Sequence, residues 1–140
     1  MDVTYTEEKR FSVEDIEQLF LSVGWVSGTY PRRLHRALMG SSTVITAWDG
    51  NELVGIMRAI DDGAILACIH YVIVRPDHQG KGIAGTMLRM LKAKYRDYLY
   101  IEVSPEEKAN CAFYEKFGFQ RLGDGVPLVL VNPDFRDDLP

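Results

Sequence analysis

The stretch from Cys68 to Leu91, CIHYVIVRPDHQGKGIAGTMLRML, constrains how the rest of the chain can fold. An apolar run ending at Val74 has the character of a strand, a short polar turn follows, and Gly80, Gly82 and Gly85 open an amphipathic helix. A strand that feeds a glycine turn and a helix N-terminus offers unpaired backbone N–H groups and the positive end of a helix dipole. The arrangement predicts an anion site, and phosphate is the anion it suits best.

With 140 residues, the chain has room for one domain with a real core, expected over residues 1–140. Its apolar fraction of 46% and charged fraction of 26% are those of a soluble globular protein, and a net charge of −4 argues against nucleic acid as partner. Cys68 and Cys111 are the only cysteines and show no metal-binding spacing. Two reduced thiols, a cytoplasmic location and no metal are therefore expected. The opening MDVTYTEEKR carries acids where a signal peptide needs a basic start, and no apolar run approaches the ~20 residues that span a bilayer. No membrane partner is expected.

Periodicity divides the remainder. Val3 to Tyr5 reads as an edge strand, and Ser12 as the N-cap of a helix from Val13 to Val23 with acids in its first turn. A loop holding Trp25 and Tyr30 leads to a second helix from Pro31 that ends at Gly40. Strands over Thr43 to Trp48 and Leu53 to Ile60 flank a hairpin turn at Asp49-Gly50-Asn51. The turn Asp61-Asp62-Gly63 opens a central strand from Ala64 to Val74, and the glycine helix runs to about Tyr95. A strand from Tyr98 to Val103 leaves through Ser104-Pro105-Glu106-Glu107, a capping-box signature for a helix ending near Lys116. Phe119 to Leu122 and Pro127 to Val131 read as two closing strands.

Gly80 to Gly85 matches GxGxxG, the dinucleotide fingerprint, but five residues separate Val74 from the first glycine and hairpin signals precede the strand. A phosphate loop of the Walker type is absent, since a glycine follows Lys81. The alternative parse is Gln79-x-x-Gly82-x-Ala84 after Val72-Ile73-Val74-Arg75-Pro76. Together with Asn110-Cys111-Ala112-Phe113-Tyr114-Glu115-Lys116-Phe117-Gly118-Phe119, it resembles the two recurrent blocks of the GNAT superfamily of N-acetyltransferases. The resemblance extends to the element order across nearly the whole chain. It implies an α/β (α+β) GNAT fold, a mixed, mostly antiparallel sheet of about six to seven strands flanked by about four helices. It also implies acetyl-CoA as donor and an amine as acceptor. A plain structural use of the glycines, for a tight turn and close helix packing, stays open.

In that light, backbone N–H groups from Gln79, Gly80, Lys81, Gly82, Ile83 and Ala84 are expected to hold the pyrophosphate. The resemblance implies that Val72, Ile73 and Val74 pair with the pantetheine arm, that Asn110 and Phe113 add cofactor contacts, and that Tyr114 protonates the thiolate. Asn110 and Tyr114, four residues apart, share one edge of a helix. His70 is the first candidate base, and strict alternation would place it on one face with Cys68, Val72 and Val74. A satisfied core histidine is the competing reading. Glu102 is the rival base, with a solvated strand-end acid as its competing reading, and His78 is expected to help bind the anion. Trp25 and Tyr30 are candidate acceptor contacts, although core packing explains them as well.

The activity expected is acetyl transfer to the primary amine of a small molecule by direct attack in a ternary complex. An acyl-CoA binder without turnover and a dinucleotide module are the alternatives. The closing strands offer an edge for a possible homodimer.

Overall fold

The structure, a computed structural model, describes residues 2–137. A single sheet organises it, with strands in sequence order: β1 (Val3–Thr6), β2 (Thr43–Asp49), β3 (Glu52–Asp61), β4 (Leu66–Val74) and β5 (Tyr100–Val103). The first four are antiparallel neighbours and β5 runs parallel to β4. Four α-helices flank the sheet: α1 (Val13–Ser22), α2 (Pro31–Met39), α3 (Ile83–Lys94) and α4 (Cys111–Glu115).

Local signals account for most of these boundaries. Ser12 caps α1 with a reciprocal pair of bonds, Asp15 N donating to Ser12 Oγ and Ser12 N donating to Asp15 Oδ2. The central strand starts at Leu66, two residues later than its apolar run suggests. The Asp62 carboxylate accepts from the N–H groups of Ala64, Ile65 and Leu66, which keeps the first two out of the ladder and holds its own pKa below the usual range.

The sheet separates two apolar layers. On one face α3 buries Ile83, Met87, Leu88 and Leu91 against Ile45, Ala47, Met57 and Ala59, with Tyr114 from α4 at the rim. On the other, Ile16, Leu19 and Phe20 of α1 and Leu34 and Leu38 of α2 cover Val44, Ile56 and Ile73. Burial of this kind is the main favourable term in folding.

The sheet has five strands, fewer than expected, because residues 119–131 form no ladder. An apolar run becomes a strand only where an edge accepts its backbone groups, and here Leu128, Val129, Leu130 and Val131 stand exposed instead. The capping box at Ser104 is also overturned. Glu107 is extended, so a single 3-10 turn at Lys108–Asn110 and the short α4 replace the long helix, and Ser104 to Glu106 become loop.

Tyr71 decides the geometry of β4. It has φ of +66°, the left-handed region, and inserts a bulge opposite Met57 and Arg58. Before the bulge Ile69 pairs with Ala59; after it Val72 pairs with Met57. Ala67, Ile69, Val72 and Val74 thus share the α3 face, and Cys68 and His70 lie on the α1 face. The alternation expected to group His70 with Val72 and Val74 fails because the extra residue flips the side-chain phase.

Candidate active site

The glycine turn forms as the sequence requires. Gly80 and Gly82 have φ of +78° and +83°, and Gly82 is the N-cap of α3. The N–H groups of Gly80, Lys81, Gly82, Ile83 and Ala84 meet no protein acceptor among the described residues. Gln79 departs from expectation: its N–H donates to Pro76 O at 3.4 Å, and its side-chain amide donates to Val74 O. The free donors therefore begin at Gly80. Lys81 is exposed beside them, and the side chain of Ile83 is buried in the core, leaving its backbone to face the turn.

His78 offers no donor to this turn. Its Nε2 meets Asp49 Oδ2 at 3.0 Å and its Nδ1 meets Asp77 Oδ1 at 2.7 Å, which pins the turn to the β2–β3 hairpin. The two carboxylates, Asp49 first, raise its pKa. With both ring nitrogens committed to acids, no N–H is left for a phosphate.

Beyond Ile69, β4 loses its neighbour. The ladder with β5 stops at the pair Ile69 and Val103, so the β5-facing edge of residues 70–74 carries no strand. A narrow cavity of about 70 Å³ lies in the gap, walled by His70, Tyr71 and Val72 on one side and by Asn110 and Tyr114 on the other. Five of the expected site residues, Trp25, His70, Val72, Asn110 and Tyr114, thereby line one cavity. Ile73 and Val74 lie further along the open edge. Phe113 does not line the cavity and packs on Tyr114 and Phe117.

Tyr114 is 7% exposed, and burial pushes its phenol to about 12. Its hydroxyl has no protein partner among the described residues; it stays protonated, and Tyr114 lines the gap. Gly85 on α3 lets Phe117 approach to within 3.3 Å of where a Cβ would stand, which seats α4 close to α3.

A second, larger cleft of about 570 Å³ lies between Tyr30, Leu34 and Ala37 on one side and Val131, Pro133 and Phe135 on the other. Tyr71 lines both spaces. Its hydroxyl shares a hydrogen bond with Ser27 Oγ at 2.6 Å, and its ring packs edge-on to Phe20 and tilted against Trp25. Glu102 lines neither space and pairs in register with Cys68, whose thiol pKa is raised by burial and then by this acid. Cys111 lines neither space either.

Sequence reasoning missed Tyr71 and Arg58. Nothing in a sequence marks a tyrosine for positive φ. A lone arginine in the apolar strand Leu53 to Ile60 was a readable signal, and Arg58 is 7% exposed with its guanidinium on His70.

A strand pair that parts over a cavity, beside a turn of free N–H groups, is a shape that suits an elongated anionic ligand. The chain belongs to the acetyltransferase (GNAT) family, whose pattern it matches over residues 10–119, and is thus an N-acetyltransferase by family. It is 33% identical over 133 residues to an uncharacterized N-acetyltransferase, ycf52, of Porphyra purpurea, a match covering 89% of this chain and 74% of the relative. The corresponding protein of Gracilaria tenuistipitata var. liui is 29% identical, covering 82% of this chain and 65% of the relative. Among solved structures, a GNAT family acetyltransferase of Streptococcus pneumoniae TIGR4 superposes with a TM-score of 0.79 at 25% identity, covering 95% of this chain and all of that one. A protein of Pyrococcus horikoshii OT3 shares the fold, with a TM-score of 0.74 at 21% identity over 89% of this chain and 93% of that one.

Proposed function

We propose that this chain, as a single domain, transfers an acetyl group from acetyl-CoA to the primary amine of a small molecule by direct attack in a ternary complex. The observation that carries the reading is the meeting of Tyr114 and Asn110 with the open edge of β4, downstream of which lie the free N–H groups of Gly80 to Ala84. The residues present fit the donor: the turn and Lys81 suit its pyrophosphate, and the unpaired edge at Val72 to Val74 suits its amide-bearing arm. The donor supplies the acetyl thioester.

Transfer forms a C–N bond, breaks the C–S bond, and moves one proton from nitrogen to sulfur. Tyr114 serves the leaving sulfur. A phenol at about 12 keeps its proton at every working pH and donates a hydrogen bond where negative charge develops. Direct attack is favoured because neither Cys68 nor Cys111 lines the cavity. Glu102, outside the cavity, is left as a base only through intervening water.

The larger cleft suits the acceptor. Its walls are mainly apolar and aromatic, carry Arg33 and include no carboxylate among the described residues, which favours an amine with an apolar body over a polycation. Tyr30 contributes to this wall and Trp25 to the smaller cavity. No helix of the described residues is long and apolar enough to cross a membrane, and the free thiols support a reducing, cytoplasmic setting. The exposed Leu128 to Val131 and the outer edge of β5 support a homodimer, to be checked by sedimentation.

Titration with acetyl-CoA by calorimetry, followed by an amine panel read through free thiol, tests the reading. Saturable heat and thiol release with at least one apolar amine are expected. Binding without thiol release would make the chain an acyl-CoA binder, and heat with NAD alone would make it a dinucleotide module.

A further inference from the structure

Arg58 on β3 faces His70 on β4 across the ladder. It is a buried cation with no carboxylate: Nη1 donates to Ser41 Oγ at 3.2 Å, Nη2 meets His70 Nδ1 at 2.5 Å, and the guanidinium carbon lies 4.7 Å from the Tyr71 ring centre. Its Nε has no partner among the described residues. The His70 ring in turn lies 4.1 Å from that of Tyr71 at 32°, nearly stacked.

The chemistry of the two groups fixes the proton positions. A guanidinium has five N–H donors and no acceptor, so in this contact Arg58 donates and His70 Nδ1 accepts. A neutral imidazole carries one proton, which must then sit on Nε2. Charging the ring would set N–H against N–H and a second cation beside Arg58. Neither nitrogen can take a proton from an amine while the contact holds.

We propose that Arg58 is a positioning residue that holds His70 as the neutral Nε2–H tautomer, so that the imidazole serves the cavity as a hydrogen-bond donor and not as the base. The proposal rests on the acetyltransferase reading for its catalytic part. Its structural part stands on the contact alone and is measurable without any substrate. Nε2 meets no protein group among the described residues, and the ring lines the gap that Tyr114 also faces. The ionisable groups around the ring are Arg58 from β3, Tyr71 beside it, and Tyr114 and Glu106 across the cavity. Burial first, and then Arg58, lower its pKa, in agreement with a neutral ring. Removal of the amine proton then falls to water at the mouth of the gap.

Nitrogen-15 NMR of histidine-labelled protein tests the proposal, with the three histidines assigned through single substitutions. The expected result at neutral pH is a His70 ring protonated at Nε2 alone. Arg58→Met should mix the tautomers and raise the ring pKa, and Arg58→Lys, which keeps one donor, should restore the preference in part. In the amine assay, His70→Ala should cost about tenfold and His70→Gln, whose amide replaces the Nε2 donor, only about two- to threefold. A ring found protonated at Nδ1 or at both nitrogens overturns the positioning role. Loss of about a hundredfold or more in both His70 variants, with the acidic limb of the pH profile abolished, marks a general base and overturns the donor role. The wild-type spectrum decides the tautomer even if Arg58→Met fails to fold, and absence of acetyl transfer from the wild type would refute the enzyme reading while leaving that spectrum intact.

Discussion

His70 and Val72 stand on opposite faces of the same strand although only Tyr71 lies between them. The left-handed backbone of Tyr71 turns the imidazole towards Arg58 and sends Val72 to the α3 side, just beyond the point where β4 parts from β5.

Tyr71 should therefore be costly to replace by residues that resist positive φ. Tyr71→Phe removes the bond to Ser27 Oγ and is expected to cost about 1 kcal/mol. Tyr71→Val adds a β-branched residue at φ +66° and loses the aromatic packing, for a cost of about 3 kcal/mol or more. Urea unfolding of the two variants should rank them in that order.

Tyr114→Phe should lower turnover at least about tenfold while acetyl-CoA affinity by calorimetry stays nearly constant, the outcome expected from the role proposed for the hydroxyl at the leaving sulfur. Its phenol, at about 12, should leave no inflection of its own in the rate profile between about pH 6 and pH 10. Equal activity in the variant would remove Tyr114 from the chemistry.

Gly82 has open space where a Cβ would stand, so steric clash within the protein cannot explain a defect at this position. Gly82→Val is expected to cost about 1–2 kcal/mol of stability through its φ of +83°. It should also weaken acetyl-CoA binding by about tenfold or more, because a side chain there blocks close approach to the N–H groups. Binding unchanged in the folded variant would move the anion site elsewhere.

His78 links stability to pH. Its folded pKa is raised above the unfolded value of about 6.5 by Asp49 and Asp77, so its contribution is fully present below that unfolded value and is lost as pH rises through the folded one. Asp49→Asn should lower the melting temperature at pH 6 and flatten the decline expected of the wild type as pH rises above the unfolded value of about 6.5. Thermal scans across a pH series will read both.

Much of this was legible in the residues themselves. Helix α1 with its Ser12 cap, the hairpin at Asp49 to Asn51 and the glycine turn depend on local rules: helical spacing, side-chain capping and the tolerance of glycine for positive φ. The pairing of the Gly82 and Tyr114 blocks was legible too, and the sheet brought His70, Val72, Asn110 and Tyr114 to one cavity.

What the residues could not announce were outcomes of competition between distant segments. Phe20, Trp25 and Arg58 close around Tyr71 and hold it in a conformation that its own chemistry disfavours, and this reverses the face of His70. Leu128 to Val131 has the composition of a strand, yet a strand requires an edge to receive its hydrogen bonds, and composition cannot say whether one is within reach. The amino-acid sequence by itself determined α1, the β2–β3 hairpin and the glycine turn, because those arise from neighbours along the chain. Only the tertiary structure decided which way the strand between them faces, because one bulged residue shifts the phase of every side chain after it.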